Sequence, residues 1–173
     1  MSPEPENGSA VERRLYERGL VIPAAQVVPE GVRLTYRRLV RSGSTVYVAG
    51  HGPTVGDQWG FTGKIGVELS VEEGVQAAEL TALNLLGTIK RELGGLDGVE
   101  TWLKVTGYVN AVPGFTEQAR VVNGCSDLLL DLFGPEKLAA RTSIGVPDLP
   151  FNMPVEIDAV LVWSDELQLE RSV

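Results

Sequence analysis

Residues 70–95, SVEEGVQAAELTALNLLGTIKRELGG, carry the clearest helix signal in the chain. Ser70 followed by Glu73 forms a capping box, and Gly94-Gly95 is a typical helix end. Apolar residues recur between these signals at alternating steps of four and three, and they share one stripe: Val71, Val75, Ala78, Ala82, Leu85, Ile89 and Leu93. The spacing predicts an amphipathic helix that covers another layer of the fold.

Strand-like segments lie on both sides of this helix. Two β-rich segments precede it and meet at a tight turn, and a glycine-rich loop at 54–69 then leads into the helix. The predicted strands are 32–43, 44–53, 99–112, 140–147 and 154–163, and a second helix is predicted at 115–133. The order β-β-α-β-α-β-β predicts an α+β fold with one sheet and both helices on one face.

The two faces of the last predicted strand are both apolar. Val155, Ile157, Ala159, Leu161 and Trp163 form one row, and Val160 and Val162 make the opposite row apolar as well. A strand that is apolar on both faces is usually buried on both. Because both helices are expected on one side, we expect a partner subunit to cover the other.

The N-terminal segment differs in character from the rest of the chain. Residues 1–8 are rich in Pro, Glu, Asn and Gly and are expected to be disordered. Ser9 and Glu12 form a second capping box, and Gly19 ends a predicted short helix at 9–19. The sequence therefore predicts an N-terminal extension over 1–30 and a single domain over 31–173.

Composition narrows the classes of function. The chain has 173 residues, 43% hydrophobic and 22% charged, which is typical of one globular domain. A net charge of −8 disfavours nucleic acid as a partner. One cysteine and one histidine exclude disulfide frameworks and the usual multi-histidine metal sets, so we expect no metal and no cofactor. There is no apolar run of membrane-spanning length, and the N-terminus does not resemble a signal peptide; these features predict a cytoplasmic protein with no membrane contact.

Two charges stand on the final predicted strands. Arg141 lies near the start of one and Glu156 near the start of the other. Burying a charge without a partner costs several kcal/mol, so either these two neutralise each other or they line a cavity and serve a ligand. A guanidinium is shaped to hold a carboxylate through two hydrogen bonds, and a glutamate can activate a water. Both possibilities remain open on the residues alone.

The single histidine and the single cysteine have simpler readings. His51 lies in a glycine-rich segment with no paired acid nearby in the sequence, which favours a turn or surface histidine over a general base. Cys125 lies on the apolar flank of the second helix, which predicts a buried and unreactive thiol.

The segment RTSIGVPDLPFNMPVEI (141–157) resembles the closing segment of the YjgF/RidA family of enamine/imine deaminases. The separation of Arg141 from Glu156 and the placement of Leu149-Pro150 match the spacing in that closing segment of the family. RSGSTVYVAGHGP, AELTALNLLGTIKRELGGLDGV and GFTEQARVVNGCSDLLLDLFG continue the resemblance, which covers about residues 34–163. The resemblance implies a chorismate-mutase-like fold with a mixed sheet, assembled as a homotrimer whose sheets form an inner barrel.

The resemblance also implies a site in the clefts between subunits. Arg141 would hold a substrate carboxylate, with the backbone N–H of Ser143 assisting, and Glu156 would orient the attacking water. Four further residues would complete the substrate-binding site, which takes a small carboxylate-bearing metabolite: Tyr36, Gly50, His51 and Asn123.

Several positions depart from the family pattern. Ala49 stands where many members have serine, His51 where glutamine is common, and Ser143 where cysteine is frequent. Ser126 is expected on the apolar stripe of the second helix, where an aromatic residue is often found, and its small size predicts a wider pocket. The sequence leaves open whether Trp59 and Phe61 cover the site.

Three functions follow from this resemblance. The first is hydrolysis of reactive 2-imino or 2-enamino acids, such as 2-aminoacrylate or 2-iminobutanoate, to 2-keto acids and ammonia. The second is a binding or regulatory protein that uses the same pocket for 2-keto acids without turnover. The third is the endoribonuclease activity for which the family was earlier named, which the acidic charge and the lack of a histidine pair disfavour.

Overall fold

The computed structural model describes residues 9–25, 31 and 33–170. Four helices and seven strands follow one another along these residues: α1 Ala10–Glu17, β1 Leu39–Ser42, β2 Thr45–His51, β3 Thr54–Val55, β4 Gln58–Trp59, α2 Val71–Leu93, β5 Val99–Asn110, α3 Gln118–Phe133, β6 Ala140–Val146, β7 Val155–Trp163 and α4 Asp165–Glu170. The expected disorder of residues 1–8 lies outside the described residues.

Five of the strands form one mixed sheet in the order β1-β2-β7-β5-β6. All neighbours are antiparallel except β5 and β6, which run parallel. The parallel pair is possible because α3 provides the crossover between them. The two edge strands of the sheet are β1 and β6, so one side of each backbone has no strand partner among residues 9–25, 31 and 33–170.

Helices α2 and α3 pack side by side on one face of the sheet, as the sequence predicts. The row of β7 that includes Ile157, Leu161 and Trp163 is buried against them. Both capping signals of α2 are present: Ser70 accepts from the Glu73 N–H, and Gly94 ends the helix in the left-handed conformation. The predicted α+β fold is therefore confirmed.

The described residues leave the opposite face of the sheet uncovered. Tyr47 is 53% exposed and Ile144 is 42% exposed, and both point away from the helices. Val160 and Val162, from the second apolar row of β7, are half-buried on the same face. An apolar sheet face that no element of its own chain covers is a surface suited to another protein chain.

A close contact at Gly124 joins the two large helices. A Cβ atom at this position would lie 2.0 Å from the carbonyl oxygen of Val75 on α2. Because the neighbouring atom belongs to the backbone, it cannot move without shifting the helix. The missing side chain of Gly124 therefore sets how closely α2 and α3 approach.

We expect Gly124→Ala to lower the free energy of unfolding by about 2–3 kcal/mol, since the added methyl group must push two packed helices apart. Urea unfolding measures this loss. Gly87→Ala on α2 is the matched control, because its nearest contacts are side-chain atoms of Arg91 and Ile22 at 2.9 Å, which can rotate away. Equal stability losses in the two variants would contradict this account.

The N-terminal helix α1 is anchored on the helix layer. Its capping box from Ser9 and Glu12 is present as the sequence predicts. Val11 and Leu15 are buried, and the backbone N–H of Val11 donates to the buried carboxylate of Asp97 at 3.3 Å. The structure thus shows that α1 docks on the body, while the division into an extension over 1–30 and a domain over 31–173 stays a prediction.

Two local expectations were wrong. The strand expected from residue 32 begins at Leu39, the register partner of Val48, after which β2 bulges. Just before this strand, the Ala49 N–H donates to the Arg38 carbonyl at 2.9 Å. The glycine-rich loop at 54–69 contains the hairpin β3–β4, which turns at Gly56 with a positive φ of 62°.

The short C-terminal helix α4 has no counterpart in the prediction. Six residues are too few for a periodic apolar signal. Its first residue, Asp165, binds the Arg41 guanidinium through two hydrogen bonds of 2.9 and 2.7 Å. This ion pair joins the end of the chain to β1.

Candidate functional site

The guanidinium of Arg141 is held by α3. Its Nη1 donates to Asn123 Oδ1 at 2.8 Å and to Ser126 Oγ at 2.9 Å, and its Nη2 donates to the Ala119 carbonyl at 3.2 Å. All three acceptors are neutral, and no described carboxylate forms an ion pair with this guanidinium. Arg141 is therefore fixed in orientation while its positive charge remains available to an anion.

Asn123 and Ser126 act together on Arg141 because residues three apart on a helix share a face. The structure brings Asn123 to the site as the sequence predicts. It corrects the expectation for Ser126, which is half-buried beside the guanidinium and does not belong to the apolar core. The i, i+3 spacing from Asn123 is the sequence signal that could have identified it.

Glu156 lies in a pocket made by a missing side chain. A Cβ atom at Gly50 would lie 2.0 Å from Glu156 Oε1, so the carboxylate occupies the space above that glycine. Gly50 belongs to the bulged part of β2, between Val48 and His51. No described residue donates a hydrogen bond to this carboxylate. Gly50 and Glu156 are thus brought together, and the carboxylate has its hydrogen-bonding capacity available.

Burial raises the pKa of the Glu156 carboxyl, and the negative charge of Asp158 raises it further. Asp158 stands two residues along β7, so both side chains point to the open face. Asp158 itself accepts a hydrogen bond from the Tyr108 hydroxyl at 3.1 Å. A carboxyl with a raised pKa is a stronger base once ionised, which suits proton transfer near neutral pH.

Arg141 and Glu156 lie on opposite faces of the sheet. Arg141 is the register partner of Val105, whose side chain is buried under the helices, and Glu156 is the partner of Tyr108, which points to the open face. Paired residues in a sheet share a face, and successive residues alternate. The two charges therefore do not neutralise each other within one chain. This excludes the intrachain ion pair that the sequence left open as an alternative to a ligand site.

His51 does not lie in a turn or on the surface. It is 6% exposed at the end of β2, its Nδ1 is 2.7 Å from the Ala49 carbonyl, and its Nε2 is 2.8 Å from Thr88 Oγ1 on α2. Because a carbonyl only accepts, Nδ1 carries the proton and Nε2 accepts from the Thr88 hydroxyl. The expectation of a turn or surface histidine was wrong, and the imidazole faces away from Glu156.

The environment of His51 keeps its ring neutral. Burial, together with the positive charges of Arg38 and Arg91, lowers the pKa of His51 to about 4, although the bond to the Ala49 carbonyl opposes this. A substrate-binding contribution from residue 51 would have to come from its backbone.

Tyr36 lies outside the sheet, whereas Ser143 belongs to β6. Tyr36 is 57% exposed before β1, and no described residue hydrogen-bonds its hydroxyl. Ser143 is the register partner of Gly107, which abuts Val122 of α3, so Ser143 shares the face of Arg141. The candidate residues thus separate into two groups, with Arg141, Asn123, Ser126 and Ser143 in one and Gly50 and Glu156 in the other.

A groove of about 410 Å³ continues the row of Arg141 and Ser143 along β6. Gly145, two residues further, lines it together with Gln118 at the start of α3. Lys64 also lines the groove, but its ammonium donates to the Asn110 side chain and the Pro147 carbonyl. The groove therefore lies further along this face of β6, and neither Arg141 nor Ser143 lines it.

The cysteine and the potential metal ligands of the described residues provide no further reactive site. Burial raises the pKa of the Cys125 thiol to about 12, against the opposing charge of Arg141, which agrees with the prediction of a buried, unreactive thiol. Over residues 9–25, 31 and 33–170, no group of three or more acidic, histidine or cysteine side chains could hold a metal ion. None of the helices in this part of the chain is long and apolar enough to cross a bilayer.

Comparison with known proteins agrees with this fold. The model of a family described as "YjgF/chorismate_mutase-like, putative endoribonuclease" matches residues 12–161. A Trypanosoma cruzi protein named TCP17 is 39% identical over 152 residues, which cover 87% of this chain and 92% of that protein. These matches place the chain in the class of YjgF/chorismate-mutase-like α+β proteins.

Two solved structures share the whole architecture. The Agrobacterium tumefaciens protein Atu1372, described as of unknown function, has a TM-score of 0.82 and 35% identity, and the match covers 90% of this chain and 93% of that one. A Shewanella oneidensis protein described as a "putative endoribonuclease" has a TM-score of 0.80 and 26% identity, with 88% and 98% covered. The chain belongs to the YjgF/RidA family.

Proposed function

We propose that this protein hydrolyses reactive 2-imino and 2-enamino acids to 2-keto acids and ammonia. The observation that carries the proposal is the state of Arg141, whose guanidinium is oriented by three neutral acceptors and has no described carboxylate partner. A fixed, unneutralised guanidinium is suited to bind a substrate carboxylate through two parallel hydrogen bonds.

Glu156 supplies the second part of the mechanism. With the substrate carboxylate held by Arg141, the C=N carbon is placed to receive a water molecule. Glu156 accepts a proton from that water as its oxygen bonds to the carbon, and it passes this proton to the nitrogen as the C=N double bond becomes single. Glu156 then takes the hydroxyl proton of the resulting aminol and delivers it to the nitrogen, so that the C–N bond breaks, ammonia leaves and the 2-keto acid remains. The raised pKa of Glu156 supports the role of a proton acceptor.

We propose further that each site is completed between two copies of the chain in a homotrimer. The placement of Arg141 and Glu156 on opposite faces of one sheet supports this, since a single chain does not bring them together. The open face, with Tyr47, Ile144 and the second apolar row of β7, offers a surface for the neighbouring copy. The ligand would be a small carboxylate-bearing metabolite, and the reaction described uses only groups of the chain.

The test compares the wild type with Glu156→Gln in two measurements. The first is the rate of 2-keto acid formation from freshly generated 2-iminobutanoate, and the second is binding of 2-oxobutanoate by calorimetry. We expect the wild type to accelerate the reaction and Glu156→Gln to lose about 100-fold or more of kcat while still binding the keto acid. Asp158→Asn is the matched control, and it should keep most of its turnover.

The outcomes separate the candidate functions. If the wild type binds the keto acid but never accelerates imine hydrolysis, the chain is a binding or regulatory protein with the same pocket. If it neither binds nor accelerates, the proposed site is wrong. Cleavage of RNA by the purified protein would instead support the family's earlier name, although the one histidine of the chain is buried with both ring nitrogens engaged.

We expect Glu156→Gln to be more stable than the wild type at neutral pH. The pKa of Glu156 is raised in the folded state above its ordinary value of 4.5, so ionisation of this carboxyl disfavours folding as pH rises. Glutamine stays neutral and avoids that cost, which is below about 1 kcal/mol because the group is partly solvated. Thermal melting at several pH values should show the difference at pH 7 and none below pH 4. A less stable variant at pH 7 would contradict this explanation.

We expect Gly50→Ala to reduce turnover between about 10- and 100-fold, since the methyl group displaces the Glu156 carboxylate from the space it occupies. Because the displaced atoms are the end of a flexible side chain, the melting temperature should change little. Steady-state kinetics with a melting curve measures both. Full turnover in a folded Gly50→Ala variant would show that the position of this carboxylate does not matter.

A further inference from the structure

An aromatic pair stands beside the Glu156 pocket. The rings of Trp59 on β4 and Phe151, in the connection between β6 and β7, stack with centroids 5.2 Å apart and planes inclined by 25°. Phe151 is nevertheless 59% exposed. A large aromatic side chain that is stacked on one side and open on the other has a face available to a third ring or an apolar group.

The backbone holds Phe151 in this position against its own preference. Phe151 and Asn152 have positive φ values of 58° and 56°, a conformation that residues with side chains adopt at a cost in free energy. The Gly63 N–H donates to the Asn152 carbonyl at 2.8 Å, and the Asn110 side-chain amide donates to the Met153 carbonyl at 3.2 Å. Strained backbone that the surroundings fix in this way is often found at ligand sites.

Two glycines set the aromatic pair and the carboxylate side by side. A Cβ at Gly52 would lie 2.9 Å from the Trp59 ring, just as a Cβ at Gly50 would lie 2.0 Å from Glu156 Oε1. Gly50 and Gly52 flank His51, whose ring points to α2. Two residues of extended chain span about 7 Å, which places the aromatic pair about one substrate side chain away from the carboxylate.

We propose that Trp59 and Phe151 form the side-chain subsite of this active site and select 2-imino acids with an aromatic or large apolar side chain. This inference rests on the proposed function, because it takes Glu156 as the group beside the reacting carbon. The substrate carboxylate lies at Arg141, the C=N carbon lies near Glu156, and the side chain stacks on the exposed ring of Phe151. Small imino acids do not cover that ring, so stacking on it adds nothing to their binding free energy.

Binding of two stable keto acids, phenylpyruvate and pyruvate, tests the subsite without turnover. The chain has three tryptophans, of which Trp102 and Trp163 are 2% exposed and Trp59 is half-buried, so ligand-dependent fluorescence reports mainly on Trp59. We expect the wild type to bind phenylpyruvate about tenfold more tightly than pyruvate. Phe151→Ala should bring this ratio close to one without changing pyruvate affinity, and Phe151→Tyr, read in the same way, should keep it.

The remaining variants separate the possible failures. If Arg141→Ala abolishes binding of both keto acids while Phe151→Ala leaves their ratio unchanged, the subsite is wrong and the proposed carboxylate site stands. In a second outcome, the wild type shows the preference and Phe151→Ala removes it, but neither the wild type nor any variant hydrolyses an imine. The subsite then stands and the proposed reaction is wrong. If Arg141→Ala binds both ligands like the wild type, the proposed site fails, and the subsite fails with it.

Discussion

Arg141→Ala should lose about 100-fold or more of kcat/KM for 2-imino acids. The guanidinium is the only part of the proposed site that can hold the substrate carboxylate through two hydrogen bonds, and the alanine leaves the C=N carbon without a fixed position. The fold should survive, because Arg141 is half-buried and its acceptors Asn123, Ser126 and Ala119 can bond to water instead. Imine hydrolysis rates and a melting curve measure the two effects.

Two further variants make this test specific. Arg120→Ala removes another guanidinium of α3, which is paired with Glu117 and Glu72 on the outer surface, and it should keep its activity. Arg141→Lys keeps the charge but not the planar fork, so it should recover only part of the lost rate. If Arg141→Ala retains its rate, or if Arg120→Ala loses as much, Arg141 does not bind the substrate carboxylate.

The second large effect is a loss of stability in mild acid caused by His51. The pKa of His51 is about 4 in the folded protein against an ordinary value of 6.5, so the unfolded chain takes up a proton at a pH where the folded protein does not. The stability contributed by this depressed pKa is present above pH 6.5 and is lost as pH falls toward 4. Its full loss amounts to about 3 kcal/mol.

Urea unfolding at pH 7, 6 and 5 measures this loss. His51→Gln is the control, because glutamine does not titrate and can offer an acceptor to the Thr88 hydroxyl. The raised pKa of Glu156 changes stability in the opposite sense in both proteins, so the difference between wild type and His51→Gln isolates the histidine. Parallel pH dependence in the two proteins would show that His51 titrates normally in the folded state.

Much of this architecture could be predicted because its signals are periodic and strong. The capping boxes at Ser9 and Ser70 and the alternation along β7 lead directly to α1, α2 and a strand buried on its inner row. Elements without such signals were missed or misplaced. The hairpin β3–β4 and helix α4 are too short for a period, and the start of β1 depends on a bulge in its partner.

The arrangement of the site is less accessible to sequence. The alternation of β7 indicates that Glu156 faces away from the core, but ARTSIGV in β6 has no apolar alternation that would show the direction of Arg141. That direction follows from the pairing of Arg141 with Val105, which depends on how α3 crosses from one strand to the next. The contact of Ser126 with Arg141 depends on the same crossover. Residue identities could therefore be predicted, whereas their division between two faces could not.

The bond from Val11 to Asp97 has a consequence for the order of folding. It joins residues 86 positions apart, and a helix of eight residues is too short to persist alone in water. Helix α1 can form stably only after the turn that carries Asp97 and the α2–α3 layer are in place. Changes within α1 should then accelerate unfolding and leave the folding rate nearly unchanged. The first helix in the chain is thus expected to be among the last to form.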